Sequence, residues 1–493
     1  MTVRSVWNRT DIATLAVGLG IVSIAVGLSF SWAPSLWTDE VATHNAVTRS
    51  WEELFALLQN VDAVHAGYYV ILKPWIDIVG ASPFSLRLPS AIAVGVATAG
   101  VCVLANLLAG RATAIAAGLV MIVLPSMTAA SIEARSGALV TALATWSAVF
   151  LVLAVRRSRR WWIAYAGAMV LMCLVFFLAT VLLAAHLATL VWSARRRRAL
   201  VPWFVSAAIV VVAVLPVALL ASSQAAQVSW IETPTIAYVA GSFAAASWFG
   251  ESILVGGVVW ILIVVALWRK QTPSAWHGSP SLAASAVPWL LVPGLIVVVL
   301  SFVVTPVFVA RYIIYSAPAA ALLAGAAISS LAKYWRAGVS LALVAACLPV
   351  LLSQRGEFGK DLADWSAAAR ELAEISDSGD SVLFVSDAGS PRAPRRAAEA
   401  YPDSFANLED PGLVATYTEL DGLWDVGSEL RDTVAELDPS TTTWALVSLV
   451  SVNGDRSRAE ADFRSLGLEP ELVWSGPSTL IYRLDVDEST SSR

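Results

Sequence analysis

The sequence predicts a polytopic α-helical membrane protein of about eleven transmembrane helices, followed by a C-terminal soluble α/β domain. Three observations predict it. Hydrophobic residues make up 57% of the 493 and charged residues only 14%, against about 25% charged in an ordinary soluble protein. The charge is segregated: residues 1–353 hold 10 Asp/Glu and 20 Lys/Arg, and residues 354–493 hold 27 Asp/Glu and 12 Lys/Arg. Apolar runs near the length of about 20 residues that a bilayer demands recur up to residue 353 and then stop. A membrane domain over 1–353 and a soluble domain over 354–493 follow, the first carrying a net +10 and the second −15.

The expected spans fall near 11–33, 88–110, 112–129, 137–155, 161–177, 178–194, 200–221, 252–268, 288–305, 313–332 and 337–353. The fifth and sixth come from one uncharged stretch of 34 residues, 161–194, long enough for a tight hairpin. Reading it as two helices keeps Arg156, Arg157, Arg159 and Arg160 on the same side as the run Arg195 to Arg198. The N-terminal run lacks a small-x-small cleavage site and reads as a retained first helix. Cys102, Cys173 and Cys347 lie in apolar runs and read as small buried residues, with no disulfide framework or CxxC site.

Orientation comes from the Lys/Arg bias of short loops. With the N-terminus cytoplasmic, 15 of the 20 basic residues before the tail lie inside: Arg4, Arg9, Arg111, the two Arg clusters, Arg269, Lys270, Lys333 and Arg336. The acidic tail then lies outside. Apart from Asp11, every earlier acidic residue joins it: Asp39, Glu40, Glu52, Glu53, Asp62, Asp77, Glu133, Glu232 and Glu251. Arg49, Lys73, Arg87, Arg135 and Arg311 break the bias by lying on that face too. Ionisable groups at a membrane cost enough to imply function, so chemistry is expected on the outer face.

The loop over 34–87 after the first span reads as short interfacial helices. It holds Trp37-Thr-Asp-Glu40, an amphipathic stretch with Trp51, Leu54, Phe55 and Leu58, the segment His65 to Trp75, and Arg87-Leu-Pro-Ser90. Its aromatics read equally as a belt at the lipid boundary.

These landmarks, with Glu133-Ala-Arg135 before the fourth span and Ala310-Arg-Tyr312 before the tenth, resemble those of one family, in order over residues 1 to about 335. That family is the C-type polytopic glycosyltransferases (GT-C fold) of the protein-mannosyltransferase-like and aminoarabinose-transferase-like group. The resemblance implies a bacterial plasma-membrane enzyme, and the excess of Arg (28) over Lys (4) suits a GC-rich genome. It implies transfer of a sugar from a polyprenyl-phosphate-linked donor to a lipid, glycan or protein hydroxyl at the outer face, with inversion. Mannose is the expected sugar, and arabinofuranose or another is the alternative. Phosphate is already a good leaving group, so the reaction needs one base and cations for the departing phosphate.

The resemblance makes Asp39 the base, with Glu40 orienting it or the acceptor; helix capping is the structural alternative for either. Glu133 is a third catalytic candidate, or else an ion-pair partner of Arg135. Arg311 is the first choice for the donor phosphate, because a guanidinium grips two phosphate oxygens. Lys73 and Arg87 come next, with snorkelling to headgroups as the alternative. His65, Tyr69 and Tyr312 are candidates for sugar or acceptor contact. His44 and His186 read as interfacial or core residues. Asp39, Glu40, His44 and His65 match no compact ligand spacing, so neither a metal nor another cofactor is expected, and no nucleic-acid partner.

In the tail, 361–375 reads as an amphipathic helix, 381–386 and 444–450 as strands, 459–466 as helix, and 472–474 with 480–484 as a closing hairpin. No Gly-rich phosphate loop follows a strand. Arg392, Arg395 and Arg396 read as a solvated basic loop, and 485–493 as a disordered end. A transporter or flippase is the competing class. It predicts internal repeats and mid-membrane polar groups, whereas these charges gather at the outer edge.

Overall fold

The structure, a computed structural model, describes residues 3–192, 196–269, 280–387, 390, 392–438 and 440–486. Of the charges used for orientation, Arg195 and Lys270 lie outside the described residues, as do the side chains of Arg4, Arg9 and Arg196 to Arg198. Residues 487–493 of the expected disordered end lie outside them too.

Every one of the eleven apolar runs is built largely of helix, but they differ in length. Among the described residues seven helices are long and apolar enough to cross a membrane: Asp11–Leu28, Pro83–Ala109, Gly137–Arg156, Ala199–Ser223, Leu282–Val303, Ala310–Ser329 and Lys333–Gln354. Ile236–Phe249 and Ile253–Trp268 form an eighth candidate bent by 91°, and Arg111–Val123, Trp161–Val175 and Phe177–Val191 are shorter. The breaks have local causes. Leu124 is extended (φ −63°, ψ 123°), as a residue before proline prefers to be, so the run expected over 112–129 splits at Pro125. Gly250 (φ 60°) and Glu251 (φ 61°) are left-handed at the 91° bend, a conformation that no α-helix continues through. Phe176 (φ −155°, ψ 100°) interrupts 161–194 one residue before the expected break.

The chain divides into two compact units. The first comprises Met1–Ser31, Asp62–Pro74 and Phe84–Gln354, and is the helical bundle. Within it Gly137–Arg156 packs on Trp161–Val175, and Ala317–Ser329 packs on Arg111–Val123. The latter contact is close because both faces are small: a Cβ on Gly325 would come within 2.5 Å of the Ala117 nitrogen. Lipid tails are as apolar as leucine, so close packing of small residues is what draws such helices together.

The second unit comprises Trp32–Val61, Trp75–Pro83 and Arg355–Arg493. Its centre is a four-stranded sheet of β1 (Ser381–Val385), β4 (Thr443–Ser448), β5 (Leu468–Ser475) and β6 (Thr479–Val486), in the order β1-β4-β6-β5. β1 runs parallel to β4, while β6 is antiparallel to both β4 and β5. Two short strands, β2 (Leu413–Ala415) and β3 (Val426–Gly427), pair separately. All six residues of β4 are buried, as a central strand covered on both faces requires. Leu383, Ala445, Val447, Phe463, Leu480 and Tyr482 form the core against the helix Arg456–Ser465. The helix Trp365–Ile375 buries Trp365, Ala368, Ala369 and Leu372, at the spacing of one helical face. Ahead of it the buried Asp364 carboxylate accepts from Ser478 N (2.8 Å), Ser478 Oγ (2.7 Å), Thr479 N (2.9 Å) and Thr479 Oγ1 (2.7 Å), clasping the β5–β6 turn.

Candidate active site

Asp39 and Glu40 open the helix Thr38–Val47, in the second unit. Neither is its N-cap: that is Trp37, which is extended (φ −110°, ψ 172°) and provides no side-chain cap. Both carboxylates lie in the first turn, where the exposed amide ends favour negative charge. Eight of the ten residues of this helix are buried, including Glu40, His44 and Asn45. Such all-round burial of polar groups demands partners, and residues of the C-terminal region provide them.

Lys360 Nζ lies 3.7 Å from Glu40 Oε1. The hydroxyl of Tyr401 accepts from Leu36 N at 2.9 Å, and Ser366 N donates to Ser35 Oγ at 3.2 Å. Asn45 Nδ2 donates to Glu399 Oε2 at 2.8 Å and to Leu423 O at 3.0 Å. His44 Nδ1 meets Asn45 Oδ1 at 3.1 Å, and burial lowers its pKa. Arg49 donates from Nε to Asn45 O (2.9 Å) and from Nη2 to the carbonyls of Tyr417 (2.7 Å) and Gly422, with its guanidinium 4.9 Å from the Tyr417 ring centroid.

The short helix Arg396–Ala400 packs on Thr38–Val47. Arg396 sits 4.0 Å from the Trp424 ring centroid and reaches Thr38 Oγ1 at 3.4 Å. Burial pushes its pKa down to about 10, against the opposing pull of the Glu399 and Asp39 charges. Glu399 accepts from Asp425 N at 3.0 Å, and burial pushes its carboxyl up to about 7. The basic stretch is therefore no solvated loop. Arg396 is buried, Arg395 pairs with Asp410 and lies over Phe384, and Arg392 pairs with Asp361 at 2.7 Å. A tally of charge along the chain cannot show that each Arg meets an acid or a ring.

The other candidates belong to the first unit. Asp62 adopts a left-handed conformation (φ 62°), which Asp tolerates better than most residues. Its carboxylate accepts from the buried Tyr69 hydroxyl, which in turn accepts from Arg135 Nη1 at 2.8 Å; Arg135 Nη1 lies 3.7 Å from Asp62 Oδ2. Arg135 thus pairs with Asp62, which the sequence reading did not single out. The His65 ring lies 6.0 Å from that of Tyr69. At Gly67 a Cβ would come within 2.3 Å of Leu174 O, so this turn seats directly on the backbone near Leu174.

Glu133 is half-buried, and its carbonyl accepts from Ser90 Oγ at 2.6 Å. Lys73 and Arg87 are buried, and Arg87 Nη1 donates to Ser31 O at 2.7 Å. Neither runs out along the protein surface as a snorkelling side chain does. Arg311 is exposed, with its guanidinium 5.9 Å from the Tyr312 ring centroid, and Phe176 meets Tyr312 edge-on at 5.6 Å. Asp39 and Glu40 thus sit in one unit, and the seven remaining candidates in the other. Among the described residues no three His, Cys, Asp or Glu side chains gather as metal ligands would.

Multiple apolar helices with a small strand-containing C-terminal region define a polytopic membrane protein, and its fold is like that of solved C-type glycosyltransferases. Residues 67–220 match the family model for dolichyl-phosphate-mannose-protein mannosyltransferase, a stretch that includes Tyr69, Lys73, Arg87 and Glu133. Among solved structures the chain is similar to ArnT from Cupriavidus metallidurans bound to undecaprenyl phosphate, at TM-score 0.60 and 14% identity, covering 96% of this chain and 98% of that one. It is similar also to the oligosaccharyltransferase AglB from Archaeoglobus fulgidus (TM-score 0.53, 10% identity, 94% and 74% covered). A third match is the arabinofuranosyltransferase AftD from Mycobacteria (TM-score 0.52, 16% identity), where 95% of this chain spans 40% of that protein. No curated protein matches the sequence.

Proposed function

We propose that the protein is a glycosyltransferase that moves a sugar from a polyprenyl-phosphate-linked donor to an acceptor hydroxyl at the outer face of the bacterial plasma membrane, with inversion. The single observation that carries this reading is the fold match to ArnT over nearly the whole of both chains, in a structure of that protein with undecaprenyl phosphate bound. The matched family model, named for dolichyl-phosphate-mannose, favours mannose as the sugar.

In the proposed reaction Asp39 takes the proton of the acceptor hydroxyl as its oxygen attacks the anomeric carbon. The bond between that carbon and the phosphate oxygen breaks on the opposite face, and the electron pair leaves with the polyprenyl phosphate. Arg311 holds the departing phosphate, with Lys73 and Arg87 contributing positive charge. Glu40 and Glu133 orient the acceptor or the base, and His65, Tyr69 and Tyr312 contact sugar or acceptor. The acceptor is a lipid, glycan or protein hydroxyl, and no cofactor takes part.

The test is transfer of labelled sugar from a panel of polyprenyl-phosphate donors by purified protein. Asp39→Ala and Arg311→Ala are each expected to lose at least about 100-fold in turnover, the scale on which positioned bases and charge-stabilising groups act. Equal turnover by wild type and Asp39→Ala would overturn the mechanism. No transfer from any donor, with movement of the lipid carrier across vesicles, would identify a flippase.

A further inference from the structure

The buried Arg396 is assigned no part in the reaction proposed above. Its surroundings are unusual for an arginine in a 140-residue acidic tail. It is 6% exposed, it lies over Trp424, and it reaches back to Thr38, the residue before Asp39. The Asp39 charge favours the protonated guanidinium, against the stronger opposing effect of burial. Arg395, next along the chain, is instead committed to Asp410, so Arg396 is the member of the pair that serves the Thr38–Val47 helix.

We propose that Arg396 is a positioning residue for Asp39: fixed over Trp424, its guanidinium holds the start of the Thr38–Val47 helix and keeps the Asp39 carboxylate ionised, the form able to accept a proton. A cation beside a carboxylate favours the charged form, while burial opposes it. Other charged and titratable groups lie on the helix of Asp39 and on the helix packed against it. Glu40 and His44 share its helix, and Glu40 faces Lys360. Arg396 and Glu399 come from the helix packed against it. Glu399 would repel Asp39 if ionised, but burial drives its carboxyl up to about 7. It is thus about half protonated near neutral pH and largely protonated across the acid range, where Arg396 is left the dominant charge from that helix.

The inference rests on Asp39 being the base, so its test is chosen to speak without turnover. In the full-length protein, carbodiimide labelling of Asp39 is followed by mass spectrometry across the acid range, in wild type, Arg396→Gln and Arg396→Lys. The labelling midpoint is expected to rise by at least about one pH unit in Arg396→Gln, the lower end of the shift an adjacent arginine causes, and to stay near wild type in Arg396→Lys. An unchanged midpoint in Arg396→Gln overturns the proposal. Should that variant not fold, Trp424→Leu keeps the charge but removes its seat: a smaller rise supports the proposal, and no rise overturns it. Sugar transfer by the same variants separates the two readings. If both hold, the acid limb of the rate profile moves with the labelling midpoint. A wild type that transfers no sugar refutes the proposed reaction, while the midpoints still decide the relation of Arg396 to Asp39. A purely structural role for Arg396 would lower the rate at every pH without moving the limb.

Discussion

Lys360 holds its ammonium 3.7 Å from the carboxylate of Glu40, and that carboxylate is 0% exposed. Removing the cation takes a counter-charge from a buried carboxylate, and breaking a buried ion pair in this way costs on the order of 3–5 kcal/mol. Lys360→Met is therefore expected to melt well below wild type in thermal unfolding of the full chain. Neutralising both partners, as Glu40→Gln with Lys360→Met, is expected to recover most of the loss. A double variant no more stable than Lys360→Met would refute a buried pair.

Asp364 offers a sharper local test, because four donors converge on its one carboxylate. Asp364→Ala leaves the buried Ser478 and Thr479 groups without that acceptor, at about 1–3 kcal/mol for each buried group left unsatisfied. The expected result is loss of hydrogen-exchange protection at the amides of Ser478 and Thr479 ahead of the central strand β4. Equal protection in the variant would mean that the clasp contributes little.

Tyr69→Phe removes the hydroxyl that bridges Asp62 and Arg135. Truncating one member of a buried, charge-linked network costs about 1.5–3 kcal/mol. The ion pair at 3.7 Å remains, so the protein is expected to fold with a lowered melting temperature. Asp62→Asn, which removes the charge, is expected to cost more.

Glu399 gives a pH dependence with a definite sign. Its carboxyl is raised from an ordinary 4.5 to about 7, so between these values the folded chain binds more protons than the unfolded one. Stability from this group is greatest below pH 4.5 and falls as pH rises through 7, by roughly 3 kcal/mol at 1.36 kcal/mol per unit. Glu399→Gln, which imitates the protonated form, is expected to flatten the fall of urea midpoint with pH over that window. Burial raises Asp425 as well, so a residual slope stays. An unaltered slope in Glu399→Gln would refute the assignment.

The sequence made legible whatever local pattern controls. Long apolar runs mark helices such as Gly137–Arg156 and Leu282–Val303, and the apolar stretch at 444–450 marks the central strand β4. Length alone did not show which runs would bend, because the 91° break depends on two left-handed residues at Gly250 and Glu251. The candidate residues stood out because their charges defy the membrane, but their partners did not. Arg135 has a carboxylate two residues away in Glu133, yet it pairs with Asp62. Arg396, Glu399 and Lys360 meet residues 38–45 across more than three hundred positions, and no periodicity carries information that far.

The burial of the Thr38–Val47 helix has a consequence in time. During synthesis these residues leave the ribosome more than three hundred codons ahead of Lys360, Arg396 and Glu399. Until the tail arrives, Glu40 lacks Lys360, Asn45 lacks Glu399 and Arg49 lacks the Tyr417 carbonyl, each a contact that compensates for burying a polar group. The segment is thus completed only after most of the helical bundle has been made, and a chain ending before residue 355 leaves this helix without its contacts to Lys360, Arg396 and Glu399.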